Sequence, residues 1–227
     1  MTTGPWQDPD PSIPGDDPYQ GERLAMVRHQ IAARGVRDPR VLAAMAAVPR
    51  HRFVPLALLG QAYADWPLPI GGGQTISQPY IVAAMAEALA LTGAERVLEV
   101  GSGCGYMAAV LARLARWVGG MDLEARLCRL AEQTLAELDC ANVAIRCGDG
   151  AQGWPEQAPF DGIVVSCAAP AIPPRLWEQL AEGGRMVVPV GASGFGQDLV
   201  LARKTPAGRQ VEVMMAVSFV PLREPGP

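Results

Sequence analysis

The sequence has no excess of positive charge, few histidines and no long apolar stretch, and each absence excludes a class of function. Its 227 residues include 19 Lys and Arg against 23 Asp and Glu, so no basic surface is expected to meet nucleic-acid phosphates. No apolar run is long enough to cross a membrane. The two histidines and five cysteines show neither a CxxC pair nor metal-ligand spacing, so we expect no metal site and reduced thiols in the cytoplasm.

The remaining composition suits one globular domain preceded by a short arm. Hydrophobic residues make up 49% of the chain, which is enough for one substantial core. Residues 1–21 are acidic and rich in proline, a composition that differs from a signal peptide and predicts a disordered or draped arm. We expect residues 22–227 to form a single domain, with a helical addition and a glycine-rich loop over 22–78 and a core over 79–227. We also expect a monomer.

Helices and strands alternate along the second part of the chain. After helices over residues 22–35 and 38–47, the apolar spacing predicts helices over 80–91, 106–115, 124–138 and a segment after 174. Strands are predicted over 96–100, 117–121, 143–147, 162–166, 185–190, 199–203 and 211–217. This alternation indicates a mostly parallel sheet with helices on both faces. The last two strands, joined by a short turn, predict an antiparallel hairpin at one edge of that sheet.

The segment VLEVGSGCGY has the glycine content of a nucleotide-binding loop but offers no help to a phosphate. Gly101, Gly103 and Gly105 occupy alternate positions, and Glu99 stands near the end of the preceding strand. The dinucleotide pattern requires a small residue where this chain has Tyr106, and a phosphate loop requires a lysine that is missing here. An acidic loop without a cation suits S-adenosylmethionine, which has a sulfonium and an ammonium but no phosphate.

Acidic residues also end the next two strands. Asp122 is placed to hold a ribose diol through two hydrogen bonds. Asp149, within Gly148-Asp149-Gly150, could accept a hydrogen bond from an adenine amino group. Ordinary turn acids are the alternative, but acids at the ends of three successive strands favour a cofactor site. The expected cofactor-binding residues are Glu99, Gly101, Ser102, Gly103, Gly105, Asp122, Leu123, Gly148, Asp149 and Gly150.

Together with several other segments, these motifs resemble the protein-L-isoaspartate O-methyltransferase family from about residue 22 to residue 222. The matching segments are VPRHRFVP, AYADWPLPIGGGQTISQPYIVA, VLEVGSGCGY, CGDGAQGWPEQAPFDGIVVSCAAP, GGRMVVPVG and VSFVPL. The TIS and WPE-x-APFD segments are not shared by adenosylmethionine enzymes in general. The resemblance implies an α/β fold, the doubly wound Rossmann-like sheet of class I S-adenosylmethionine-dependent methyltransferases, with a C-terminal antiparallel edge hairpin and an N-terminal helical addition.

The reaction that the resemblance implies is methyl transfer to a peptide carboxylate. The donor is S-adenosylmethionine, the product is S-adenosylhomocysteine, and the acceptor is the α-carboxyl group of isoaspartyl residues in damaged peptides and proteins. Because a carboxylate is already ionised at neutral pH, this reaction needs no general base. The enzyme then has to supply chiefly positioning of the acceptor against the methyl group.

The stretch GGGQTISQPY, residues 71–80, carries the expected acceptor site. Its three glycines would let the backbone approach the bound peptide closely, and Thr75 and Ser77 would present neutral hydroxyls at the reacting centre. The resemblance places the catalytic serine at Ser77. From the residues alone, a glycine-rich turn whose hydroxyls cap the following helix remains the alternative. The expected substrate-binding residues are Gly73, Gln74, Thr75, Ile76, Ser218 and Val220.

Three positions depart from the family pattern. Gly72 stands where relatives usually carry tyrosine or histidine, Asp122 replaces a glutamate, and Ser218 stands where many relatives place arginine. Because the first and third lie on the peptide side, a relative that methylates a different carboxylate, such as an aspartate of a precursor peptide, stays open. A third hypothesis is an adenosylmethionine-binding protein without turnover, which the intact Ser77 disfavours.

Overall fold

The computed structural model of the chain describes residues 17–191 and 196–223. The first sixteen residues of the predicted N-terminal arm lie outside the described residues. The first helix begins at Gln20, so it includes the last two residues assigned to that arm. Within the described part of the chain, no helix is both long enough and apolar enough to cross a membrane.

The described secondary structure contains six α-helices, nine strands and several short 3-10 or π-helical segments. The helices are α1 (Gln20–Met26), α2 (Pro39–Ala47), α3 (Pro79–Ala88), α4 (Tyr106–Ala112), α5 (Ala125–Glu137) and α6 (Pro174–Gln179). The strands are β1 (Leu68–Gly71), β2 (Gln74–Ile76), β3 (Arg96–Val100), β4 (Trp117–Asp122), β5 (Val143–Cys147), β6 (Phe160–Val165), β7 (Leu180–Val190), β8 (Gln197–Thr205) and β9 (Gly208–Val217). The predicted elements are thus confirmed, while several of their ends differ from the predicted ones.

Seven strands form one sheet in the order β5-β4-β3-β6-β7-β8-β9. Strands β3 to β7 run parallel, and β8 and β9 add an antiparallel hairpin at the edge, as predicted. From β3 the chain moves outward through β4 and β5 and then returns to place β6 on the other side of β3. This reversal of direction creates a crevice at the carboxyl ends of β3 and β6, which is where such sheets bind ligands.

Alternation along the central strand explains why both faces of the sheet are covered. Val97 packs into the core beneath α3 and α4, whereas Leu98 and Val100 point into a second core that contains Phe160. All four side chains are fully buried. A strand with apolar residues on both faces requires helices on both sides, because neither face can be left in water.

The N-terminal helices follow local signals in the sequence. The first helical run passes from α1 through one turn of π-helix (Val27–Ile31) and a short 3-10 segment, and it ends at Gly35 with φ +106°. The side chain of Asp38 then accepts a hydrogen bond from Arg40 N at 2.8 Å and caps α2. These stop and start signals are local, which is why the sequence predicted them.

The three consecutive glycines form a hairpin turn, which was one of the two explanations left open by the sequence. Strands β1 and β2 pair as an antiparallel hairpin in which Gly71 faces Gln74 across a two-residue turn. Gly71, Gly72 and Gly73 have φ values of +93°, +62° and +71°, a left-handed run that only glycine adopts freely. The glycines are therefore required by the turn, and their close approach to a bound peptide stays a prediction.

Candidate active site

The glycine-rich loop after β3 is held tightly at the crevice. Both Gly101 N and Ser102 N donate to Met121 O, at 2.8 and 3.0 Å, so the loop is tied to the end of β4. A Cβ at Gly101 would lie 3.1 Å from Cys167 Sγ, and one at Gly103 would lie 3.2 Å from Ile70 Cδ1. Gly101 and Gly103 thus have positive φ angles and no room for a side chain, because the protein's own atoms lie where a Cβ would be. Their predicted contact with a cofactor stays a prediction.

A glycine is required at position 105 for a different structural reason. Its φ is +88°, and a Cβ there would lie 3.0 Å from Ala131 Cβ and 3.2 Å from Leu135 Cδ1. Both neighbours belong to α5, so this glycine allows the start of α4 to pack against that helix. Its predicted contact with a cofactor stays a prediction, because Gly105 is not among the residues that line the openings described below.

Glu99 is the most strongly perturbed acid of the site. Its side chain is 1% exposed, Oε1 accepts a hydrogen bond from Ser166 Oγ at 3.0 Å, and Oε2 has no partner among the described residues. Burial is the main reason that the pKa of Glu99 is raised to about 8; the hydrogen bond from the Ser166 hydroxyl lowers the pKa, and the negative charge of Asp122 adds to the rise. Ser102 Oγ, also buried, lacks a partner as well.

These two unsatisfied atoms border a narrow opening that we call the inner cavity. It is lined by residues that include Thr75, Ser77, Glu99, Gly101, Ser102 and Ser166. A buried polar atom without a partner costs about 1–3 kcal/mol, so each favours a ligand that completes its hydrogen bonding. The lining side chains offer a carboxyl group and hydroxyl oxygens as hydrogen-bond acceptors, which suits a cationic ammonium group.

A second opening, the outer cleft, lies on the other side of the glycine-rich loop. It is lined by residues that include Gln74, Gly101, Asp122, Leu123, Gly150 and Arg223. Gly101 borders both openings, so the inner cavity and the outer cleft meet at this glycine. Asp122 Oδ2 accepts from Gly103 N at 2.8 Å and Oδ1 from Glu124 N at 2.9 Å. These two backbone N–H groups fix the carboxylate, and each oxygen retains a lone pair for a hydroxyl donor.

The third predicted acid has a clear local role. Asp149 Oδ1 accepts from Ala151 N at 2.9 Å and caps the short 3-10 segment that follows β5. Neither Asp149 nor Gly148 is among the residues that line the outer cleft, whereas Gly150 is. A Cβ at Gly150 would lie 2.5 Å from Val100 Cγ1, so glycine is required there by packing against β3. The contact of Asp149 with an adenine stays a prediction.

A third opening, the long groove, adjoins the inner cavity. It has a volume of about 840 Å³ and is lined by residues that include Arg34, Ser77, Tyr80, Val217, Ser218 and Val220. Thr75, Ser77 and Ser166 border both the groove and the inner cavity, so their hydroxyls stand where the two openings join. A group lying in the groove can therefore meet a ligand in the inner cavity at this place.

The alternative explanation of Ser77 as a helix cap is wrong. Helix α3 begins after Gln78, whose side chain makes no capping hydrogen bond, and Pro79 occupies the first helical position. Gln78 Nε2 instead donates to Asp65 O and Oδ1, both at 2.9 Å.

A comparison with known proteins places the chain in a family. A family profile for protein-L-isoaspartate (D-aspartate) O-methyltransferase matches residues 22–225. The chain belongs to the protein-L-isoaspartate O-methyltransferase family. It is 60% identical over 205 residues to protein-L-isoaspartate O-methyltransferase 2 of Anaeromyxobacter sp., covering 90% of this chain and 84% of that protein. It is 52% identical over 222 residues to the Synechococcus sp. protein-L-isoaspartate O-methyltransferase, covering 95% and 89%.

Solved structures with the same family name confirm the predicted fold. One protein-L-isoaspartate O-methyltransferase superposes with a TM-score of 0.78 at 28% identity, over 90% of this chain and 66% of that one. A β-aspartate methyltransferase from Plasmodium falciparum, solved with S-adenosyl-L-homocysteine, gives a TM-score of 0.75 at 25% identity, over 88% and 98%. The chain thus has the class I methyltransferase architecture that the resemblance implied.

The predicted substrate-binding residues of this family member do not all line the same opening. Thr75 and Ser77 lie at the junction, which is the place where the long groove and the inner cavity share lining residues. Ser218 and Val220 lie in the long groove with them. Ile76 borders the inner cavity, whereas Gln74 borders the outer cleft. Gly73 is exposed at the hairpin turn and has no atom within 4 Å of where its Cβ would be.

Sequence reasoning missed Ser166, Tyr80 and Arg34. Ser166 follows β6, and the parallel pairing of β6 with β3 is what brings its hydroxyl to Glu99. No local pattern could have shown this contact, because the two residues are far apart in the chain. In residues 17–191 and 196–223, no group of three or more His, Cys, Asp or Glu side chains could hold a metal ion.

Proposed function

We infer that this protein is an S-adenosylmethionine-dependent carboxyl O-methyltransferase that acts on isoaspartyl residues of damaged proteins and peptides. Its membership of the protein-L-isoaspartate O-methyltransferase family supports this activity. The observation that supports the assignment of roles is the junction at Ser77, where a large groove for a peptide meets a cavity with an unsatisfied acid.

The residues of the inner cavity and outer cleft fit S-adenosylmethionine. Glu99 and Ser102 would receive the ammonium end of the cofactor, which satisfies both buried atoms. Asp122, together with Leu123, would hold the ribose hydroxyls in the outer cleft. Gly101 borders both regions, so a single cofactor molecule would pass this glycine to reach from one region to the other. When bound, the cofactor supplies an electrophilic methyl group.

The side chains at the junction would position the acceptor carboxylate. Thr75 and Ser77 offer neutral hydroxyl donors, which orient a carboxylate while leaving its nucleophilic oxygen unpaired with a cation. The Ser166 hydroxyl borders the same place but already donates to Glu99 Oε1. The described residues that line the inner cavity include no basic side chain. Alignment of the reacting atoms is the main contribution that such a site can make, and a misplacement of about 1 Å can cost about a hundredfold in rate.

The long groove would hold the peptide in an extended form. Most of its lining is apolar, and the carboxyl end of β9 at Val217 borders it. Strand β9 ends the order of the seven-stranded sheet, so its outer edge has main-chain groups that an extended peptide can pair with. Main-chain recognition tolerates many peptide sequences, as repair of damaged proteins requires. We further propose that the protein acts as a cytoplasmic monomer without nucleic-acid or membrane partners.

The decisive experiment compares an isoaspartyl peptide with its normal aspartyl twin. We expect transfer of labelled methyl groups to isoaspartyl peptides of many sequences, and release of methanol as the ester closes to a succinimide. The normal twin should accept little or no label, because its carboxylate projects one carbon further from the main-chain path.

One alternative remains of interest because Gly72 and Ser218 are unusual for the family. Methylation of a different peptide carboxylate would appear as equal labelling of the aspartyl twin, or as activity on a single peptide sequence. Either result would contradict the repair assignment.

A further inference from the structure

The long groove has a single charged side chain among the described residues that line it. That residue is Arg34, at the end of the short 3-10 segment Ala32–Arg34. The remaining lining residues are apolar or neutral, including Ser218 and Ser77. The groove therefore presents one positive charge to a bound peptide, in a protein whose formal net charge is -4.

The guanidinium group of Arg34 is held in place on two sides. Its Cζ lies 3.7 Å from the ring centroid of Tyr80, so the ring supports one face of the planar group. Its Nη1 lies 3.1 Å from Asp65 Oδ2, and Asp65 is in turn fixed by the side chain of Gln78, next to Ser77 in the chain. A stacked and anchored arginine loses less conformational freedom on binding than a free one.

Arg34 also keeps donors available. The ion pair uses Nη1, and the other guanidinium N–H groups make no hydrogen bond to a described residue. The Arg34 side chain is 42% exposed, and Asp65 is not among the lining residues of the long groove. A ligand in the groove can therefore reach the donors of Arg34 that the ion pair leaves free.

We propose that Arg34 is a specificity-determining residue that selects isoaspartyl peptides carrying a second carboxylate near the isoaspartyl residue. This inference rests on the proposed function of the same groove. Arg34 lines the long groove and is not among the residues of the inner cavity, so it binds a neighbouring anion and leaves the acceptor carboxylate to the hydroxyls. The second carboxylate comes from an acidic side chain or from the free carboxyl terminus of a short peptide.

The test measures kcat and KM for matched isoaspartyl peptides with the full-length protein. In the first pair, the residue two positions from the isoaspartate is either Glu or Gln, and the pair is tested with this residue before and after the isoaspartate. In the second pair, the carboxyl terminus of the peptide is either free or amidated. The two pairs separate the two sources of the carboxylate. For at least one pair we expect KM to be about fivefold lower for the charged member at low salt, the scale of a partly exposed ion pair.

The variant Arg34→Gln should remove this preference, so that the charged and uncharged members of each pair have equal KM values. Arg34→Lys keeps the charge without the planar fork, so it should retain part of the preference. Asp65→Asn removes the competing acid and should increase the preference. Arg175→Gln is a matched control, because it removes an exposed charge that pairs with Glu178 on α6 without altering the groove.

Two results would overturn the inference. The first is an unchanged KM ratio in Arg34→Gln when its melting temperature matches that of the parent. The second is the absence of any preference in the parent protein, including at low salt, where ion pairs are least screened. In both cases the parent protein can still methylate isoaspartyl peptides and spare their aspartyl twins. The specificity inference would then fail while the proposed function stands.

Discussion

Protonation of Glu99 should make cofactor binding depend on pH. In the free protein, burial raises the pKa of Glu99 to about 8, so the carboxyl group is mostly protonated at neutral pH. A neutral carboxyl group cannot pair with an ammonium ion, so binding requires loss of one proton. With a pKa of about 8, the ionised fraction is about one in a hundred at pH 6 and about one in ten at pH 7.

The expected dissociation constant for S-adenosylmethionine therefore falls about tenfold from pH 6 to pH 7, which corresponds to about 1.4 kcal/mol. Over this range the amino group of the cofactor stays protonated, because α-amino groups titrate near pH 8. Calorimetry in two buffers with different heats of ionisation would detect release of about one proton per cofactor bound at pH 6.5.

Glu99→Gln is the matched control, because an amide keeps the acceptor for Ser166 Oγ but cannot ionise. In this variant the affinity should be weaker at pH 7 and independent of pH between 6 and 7.

The folding stability of the free protein should change with pH in the opposite direction to cofactor affinity. The pKa of Glu99 is higher in the folded protein than its unfolded value of 4.5, so the protein loses folding stability as the pH rises from 4.5 to about 8. Over this range the melting temperature of the parent should therefore fall more than that of Glu99→Gln. Equal affinity at pH 6 and 7 with no proton released would refute this reasoning.

Three further changes test the other roles. Asp122→Ala should weaken cofactor binding by one to two decades, because a hydrogen bond to a charged group contributes about 1.5–3 kcal/mol; unchanged affinity by calorimetry would remove Asp122 from the ribose site. Ser77→Ala should leave cofactor affinity nearly intact while lowering turnover tens-fold or more, as steady-state kinetics would show, and equal turnover would argue against a role in orienting the acceptor. Gly105→Ala should destabilise the fold by about 1–3 kcal/mol in urea unfolding, because the added Cβ meets Ala131 at a backbone angle that favours glycine. A free energy of unfolding equal to that of the parent would show that α4 and α5 can separate without cost.

The sequence alone determined the features that depend on neighbouring residues. Apolar runs with β-rich composition predicted the strands, and the cap at Asp38 and the stop at Gly35 predicted the ends of two N-terminal helical segments. The alternating glycines after β3 predicted a glycine-rich loop at the end of that strand, and the structure has this loop, with positive φ angles at Gly101, Gly103 and Gly105. Local sterics and local hydrogen bonds set these features, so a short window of sequence contains the information.

Tertiary structure decided which distant residues share a surface. The return of the chain from β5 to β6 places Ser166 against Glu99, and packing of the N-terminal segment over α3 places Arg34 on Tyr80. The role of the three glycines as a hairpin turn required the pairing of β1 with β2, which the sequence pattern did not show. Such contacts depend on the path of the whole chain and on cooperative burial of its core, and no spacing within one segment determines them.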